Sequence, residues 1–306
     1  MKFLSELKTL SQQIKFPQRI DITAGFKNIV IAGMGGSGIV GKIFAEIYNT
    51  VPVTVVSGYE IPSFVDSQTL FIAISYSGNT EETLSAFEKA EKNKAQMVAI
   101  TSGGSLADKD CYVVRVPPGL QPRSAIGYMF MPLYNAFFQP SKEDIDKTES
   151  ILKELDDNHQ VERSIANEIY NGNRFPVIMS SNPFSAVGYR WRTQFNENSK
   201  IMAMNSDFPE LNHNETMPLK LSYSLDKLYF IAIRPDDKRI ERRMQATQRI
   251  TGQNFRIIDL IGDTTLQRIF YAIHVGDYIS YELALLRGVD PTDVSLIEEL
   301  KRLLRQ

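Results

Sequence analysis

Apolar positions along the chain follow two alternating patterns. Short, nearly unbroken runs rich in Ile, Val and Ala alternate with longer stretches in which apolar residues recur at helical spacing. Unbroken runs read as strands covered on both faces, as in a parallel sheet flanked by helices. In the first half they fall at 28–32, 53–57, 70–75, 97–101 and 112–116, with helices at 38–48 and 80–92, and Pro117 and Pro118 close the series. Residues 141–170 turn charged on a helical period, which reads as one or two connecting helices at a domain boundary. The second half repeats the theme, with strands at 175–180, 201–204, 228–233 and 255–260. Its helices fall at 186–195, 236–250 and 266–286, and a last amphipathic helix at 294–305. Such strand–turn–helix units build α/β folds. The expected organisation is two α/β domains, 1–140 and 171–306, joined by helices at 141–170, each a mainly parallel sheet sandwiched by helices.

Composition narrows the class. A length of 306 residues suits two domains, and 43% hydrophobic with 23% charged residues is ordinary for a soluble globular protein. A net charge of −2 provides no basic footprint for nucleic acid. The single cysteine, Cys111, excludes an intrachain disulfide and a cysteine-cluster metal site, and suits a reducing compartment. The opening MKFLSELKTLSQQIKF is amphipathic but lacks the apolar core and cleavage pattern of a signal peptide. No apolar run approaches the roughly 18 residues of a membrane span. A cytoplasmic protein without nucleic-acid or membrane partners is expected.

Two turns carry candidate chemistry. GMGGSGIVG, residues 33–41, follows the first strand and opens a helix. Gly33, Gly35 and Gly38 satisfy the dinucleotide pattern G-x-G-x-x-G, but the second strand ends at Ser57 where an acidic residue should hold the ribose. No lysine follows as in a Walker loop. SYSGNTEET, residues 75–83, is a second strand-to-helix turn, with hydroxyls at Ser75, Ser77 and Thr80 around Gly78. Hydroxyls and free N–H groups at a helix N-terminus favour an anion. In consecutive parallel units both turns reach the same sheet edge. With Gly36 and Ser37 they would enclose one phosphomonoester.

GMGGSG together with S-x-S-G-x-T resembles the sugar isomerase (SIS) domain. Two such domains in one chain resemble the bifunctional phosphoglucose/phosphomannose isomerase family, from about Ile20 onward. The resemblance implies a cofactor-independent aldose–ketose isomerase acting on glucose 6-phosphate, fructose 6-phosphate and mannose 6-phosphate through a cis-enediolate.

Glu197, in QFNENSK at a helix end, matches the family's proton-shuttling glutamate; such general-base help contributes roughly 10²–10⁴-fold. His213, in ELNHNE, is set between asparagines and carboxylates, whereas His159 lies in a polar helix and His274 in an apolar one. The resemblance makes His213 a ring-opening residue contributed to a neighbouring subunit, which implies a homodimer. Lys301, in IEELKRLL, matches the lysine that assists ring opening, a role resting on the resemblance alone. Arg123, in QPRSAIGY after the fifth strand, sits where it can stabilise an enediolate oxygen, with the Gly36 N–H as a second donor. The family pattern has a threonine seven residues before the lysine, and Val294 stands there with Ser295 beside it. That departure weighs against mannose 6-phosphate.

The alternative is a non-catalytic phosphosugar sensor, for which the stretch before Asn28 is too short to hold a DNA-binding helix-turn-helix. An amidotransferase would need a nucleophilic cysteine in a separate glutaminase domain. Three scattered histidines offer no metal-ligand spacing, so neither metal nor cofactor is expected.

Overall fold

A computed structural model describes residues 2–22 and 25–304. Helices α1 (Lys2–Leu7) and α2 (Leu10–Gln13) precede β1 (Asn28–Ala32), α3 (Gly35–Ile47) and β2 (Val53–Val56). Next come β3 (Thr69–Ile74), α4 (Glu81–Lys92), β4 (Gln96–Thr101), β5 (Tyr112–Arg115) and α5 (Ile126–Phe137). The charged stretch forms two helices, α6 (Lys142–Asp157) and α7 (Gln160–Asn171). The second half contains β6 (Phe175–Ser180), α8 (Ser185–Asn198), β7 (Met204–Asp207), α9 (Leu211–Asn214) and α10 (Pro218–Leu221). It continues through β8 (Leu228–Ile233), α11 (Lys238–Thr251), β9 (Arg256–Ile258), α12 (Thr265–Arg287) and α13 (Ser295–Leu303). Arg305, the end of the last expected helix, lies outside the described residues.

Every strand pairing is parallel, in the orders β2-β1-β3-β4-β5 and β7-β6-β8-β9. Both sheets therefore start the same way: the first strand sits between the second and third, and the chain reverses direction across it. A crevice opens beyond the strand ends at such a switch point, here between β1 and β3. The turns at residues 33–36 and 75–80 leave those two strands.

The strand expected at 201–204 is displaced to Met204–Asp207. Lys200 adopts a left-handed φ of 53°, and the Ile201 N–H bonds back to Phe195, so the apolar IMA stretch is spent turning out of α8. β7 is an edge strand with a single neighbour and tolerates the polar sequence MNSD.

The halves share one apolar core that includes Ile31 and Ile72 from the first sheet and Ile178 and Ile231 from the second. α12 is buried along most of its length and packs on α6, α7 and α8. Covered on all sides, it has no single apolar stripe, and the polar residues Gln267, His274, Asp277, Ser280 and Glu282 are buried among its apolar ones. α3 is tied to the second half by Glu46, whose Oε1 accepts from the Ala186 N–H in the first turn of α8 at 2.7 Å. The helix N-terminus leaves that N–H unpaired.

Candidate active site

The two sequence-marked turns meet. The Ser37 hydroxyl accepts from the Tyr76 N–H at 3.3 Å, joining the start of α3 to the turn after β3. Within that second turn Ser75 and Thr80 hydroxyls are 2.9 Å apart, and the Gly78 N–H donates to Ser75 Oγ at 3.1 Å. Gly78 takes a φ of 69°, which an L side chain resists. Ser37 and Ser75 are buried, Thr80 half-buried and Ser77 exposed. Thr80 is the N-cap position of α4, so the positive ends of α3 and α4 both open on this crevice.

Arg123 joins them. It lies in the short turn Pro122–Ala125 between β5 and α5. A Cβ on Gly36 would lie 3.1 Å from the Arg123 Cα, a tight contact, so glycine eases the close approach of α3 to Arg123. The guanidinium is 5% exposed: Nη1 stands 3.2 Å from Glu197 Oε2, Nε donates to Asn198 Oδ1 at 2.8 Å and Nη2 to the Pro291 carbonyl at 2.6 Å. Burial lowers its pKa from the usual arginine value, and the Glu197 charge opposes that shift. Arginine keeps its charge through such a shift.

A buried frame holds these groups. Arg190 Nη2 donates to the Arg123 carbonyl at 3.1 Å and to both Asp277 oxygens at 2.9 Å, while Gln194 donates to Asp277 at 2.7 Å. Asn198 also donates to Ser280 Oγ at 3.0 Å. Arg190, Gln194 and Asn198 lie on α8, Asp277 and Ser280 on α12, so two packed helices fix the end of α8 that presents Glu197. The Glu197 side chain, 34% exposed, meets the Arg123 guanidinium from that end.

His213 and Lys301 stand apart from this cluster. His213 is exposed on α9, and among the described residues its imidazole has no hydrogen-bond or ion-pair partner. Lys301 is exposed on α13, a helix with no buried residue. Among the described residues no group of three or more His, Cys, Asp and Glu side chains is placed to hold a metal ion, and no helix is long and apolar enough to cross a membrane.

Comparison with known proteins bears on this geometry. Residues 24–134 match the SIS domain family, and residues 158–304 match the family described as bacterial phospho-glucose isomerase C-terminal SIS domain. A bifunctional phosphoglucose/phosphomannose isomerase from Thermoplasma volcanium is 54% identical over 302 residues, 99% of each chain. One from Thermoplasma acidophilum is 54% identical over 99% of this chain and 97% of its own. The chain belongs to the bifunctional phosphoglucose/phosphomannose isomerase family. As a member it is an isomerase, built of two SIS-type domains. A solved structure of a hypothetical protein from Thermus thermophilus superposes with a TM-score of 0.75 at 14% identity, covering 100% of this chain and 89% of its own, and shares the fold alone.

Several residues of the candidate site carried no sequence signal. Asn198 was one of two asparagines beside Glu197, and only α8's register turns it onto Arg123. Lys200 Nζ caps the Glu197 and Asp293 carbonyls at 2.5 Å each. Burial and then the Arg123 charge lower its pKa. The segment Pro291–Asp293 folds against the cluster, with the Thr292 carbonyl accepting from Gln121 at 3.0 Å. The Thr292 hydroxyl is spent locally, donating to Asp290 Oδ1 at 2.8 Å. The DPTD spelling of residues 290–293 marks a turn, and nothing in it indicates where the turn docks.

Proposed function

We propose that this isomerase interconverts glucose 6-phosphate, fructose 6-phosphate and mannose 6-phosphate through a cis-enediolate. The observation that carries this reading is the buried Arg123 guanidinium held 3.2 Å from the Glu197 carboxylate, beside the glycine turn of α3. The substrate phosphate lies against Gly36, Ser37, Ser75, Ser77 and Thr80, at the starts of α3 and α4. Glu197 carries the proton between C1 and C2, and Arg123 with the Gly36 N–H stabilises the enediolate oxygen.

Ring opening needs an acid and a base within reach of the ring oxygen. We assign them to Lys301 and to His213 of a second subunit in a homodimer. Two exposed apolar surfaces support the dimer. Leu296, Ile297, Leu300, Leu303 and Leu304 on and just after α13 are exposed, as are Met204, Met217, Leu221 and Tyr223 around α10. The latter region holds an apolar cavity of about 410 Å³ whose lining includes Glu215, two residues after His213. Exposed apolar patches of this kind mark interaction surfaces.

The test is NMR of fructose 6-phosphate incubated with the protein in D₂O with a chelator. Glucose 6-phosphate and mannose 6-phosphate carrying deuterium at C2 are expected. Binding without turnover or deuterium uptake would replace this reading with a phosphosugar sensor.

A further inference from the structure

α1 and α2 precede the first strand and carry none of the groups assigned above. We propose that these two helices are a clamp that positions Arg123, with Gln13 as the positioning residue. This rests on the reading that Arg123 acts in the reaction.

Gln13 ends α2, is fully buried, and uses both ends of its amide. Its Nε2 donates to the Ser124 carbonyl at 2.8 Å and to Thr9 Oγ1 at 2.8 Å. Its Oε1 accepts from the N–H groups of Gly127 at 2.9 Å and Tyr128 at 3.3 Å. Those two donors belong to the first turn of α5, which the helix cannot satisfy itself, and its N-cap residue Ala125 has no side-chain acceptor. A Cβ on Gly127 would lie 2.6 Å from the Gln13 Cβ, so glycine is what lets α2 approach.

The grip extends to the other side of Arg123. Glu6 Oε2 accepts from the Gln121 N–H at 3.1 Å, and the Phe3 ring centroid lies 5.4 Å from the Arg123 guanidinium carbon. Phe3, Glu6 and Gln13 are all buried. The backbone is thus held at 121 and again at 124, and the face of the guanidinium is covered. A helix-capping role alone would end at the Gly127 and Tyr128 N–H groups. The bond to Ser124, one peptide from Arg123, and the bond to Gln121 fix where the guanidinium arrives. An offset of about 1 Å in a catalytic group can cost on the order of 100-fold in rate.

Gln13→Ala, Gln13→Glu, Arg123→Ala and the double variant Gln13→Ala/Arg123→Ala form the test, assayed as full-length protein. The readouts are kcat, KM for fructose 6-phosphate, the inhibition constant of a phosphorylated hydroxamate that mimics the enediolate, and the folded fraction by circular dichroism. Gln13→Ala is expected to lower kcat on the order of 10- to 100-fold and weaken the hydroxamate by a similar factor, with KM unchanged. In the Arg123→Ala background it should add nothing, since residues acting through one another are non-additive. Gln13→Glu keeps an acceptor for the α5 N–H groups but loses the donor to Ser124, so it should lose kcat while remaining folded. Wild-type kcat in Gln13→Glu overturns the clamp, as does a loss that repeats in the Arg123→Ala background or merely tracks the folded fraction. Wild-type kcat in Arg123→Ala is a different result: it removes Arg123 from the reaction itself.

Discussion

The Arg123 guanidinium stands 3.2 Å from the Glu197 carboxylate, although one residue follows the last strand of the first sheet and the other lies in the last turn of the first helix of the second half. Neither half holds the pair alone. The contact exists because α3 packs on α8 and α12 lies beneath both Asn198 and Arg190, so the shared core doubles as the frame of the site. On the proposed mechanism, Glu197→Gln keeps the shape and removes the proton acceptor. Turnover should fall by roughly 10²–10⁴-fold while fructose 6-phosphate still binds, as read by single-turnover kinetics and calorimetry. Wild-type turnover in this variant would assign the base elsewhere.

The hydroxyl turns lead to a prediction of the opposite kind. Ser77 is exposed on the turn after β3, and its Oγ accepts from the Asn79 N–H at 3.3 Å, a local contact that alanine can lose without disturbing the core. A charge-assisted hydrogen bond to phosphate contributes about 1.5–3 kcal/mol, so Ser77→Ala should raise KM on the order of 10-fold or more. Its kcat should stay unchanged if the turn holds the phosphate as proposed, because uniform binding of ground state and transition state leaves kcat alone. A fall in kcat with KM constant would place Ser77 in the chemistry instead.

How far the sequence disclosed this arrangement depended on how local each feature is. β1, β3, β6 and β8 are central strands, apolar on both faces, and their runs mark them within a residue. β7 was misplaced because an edge strand need not be apolar, while the apolar residues before it serve a turn. α9 and α10 are 4 residues each, too short for a period to register. The turns holding Ser37 and Ser75 were legible because strand, glycine and helix lie in consecutive positions. Asn198, Lys200, Gln13 and Thr292 were not, since their meaning lies in distant partners: Gln13 reaches Ser124, 111 residues away. The Arg123–Glu197 pair falls between these cases, each residue marked by its strand or helix end and their meeting set by packing.

Glu46 connects the halves at a cost that depends on pH. Burial raises its carboxyl from an ordinary 4.5 to about 7, against the opposing pull of the Ala186 N–H. Between those values the native state holds a proton that the unfolded chain has released. The contribution of Glu46 to stability is therefore complete below about pH 4.5, falls as pH rises, and levels off above about 7. Glu46→Gln retains an acceptor for Ala186 and has nothing to ionise. It should be more stable than the parent above pH 7, with the advantage vanishing towards pH 4.5, in urea titrations across that range. Parallel profiles for parent and variant would show that Glu46 ionises freely in the folded protein.

The assignment of His213 to a neighbouring subunit's site can be tested without locating the interface. His213→Ala and Glu197→Gln should each be inactive, or nearly so, as separate preparations. In a mixed dimer one site combines both lesions, while the other draws Glu197 from one subunit and an intact His213 from its partner. Unfolding and refolding an equal mixture should form mixed dimers as half of the population, so about a quarter of all sites are whole. Activity near that fraction of the wild type is expected, with KM at the wild-type value. If His213 served its own subunit, every site in the mixture would carry one lesion and activity would stay at the level of the separate variants. An active His213→Ala preparation on its own would remove the histidine from ring opening altogether.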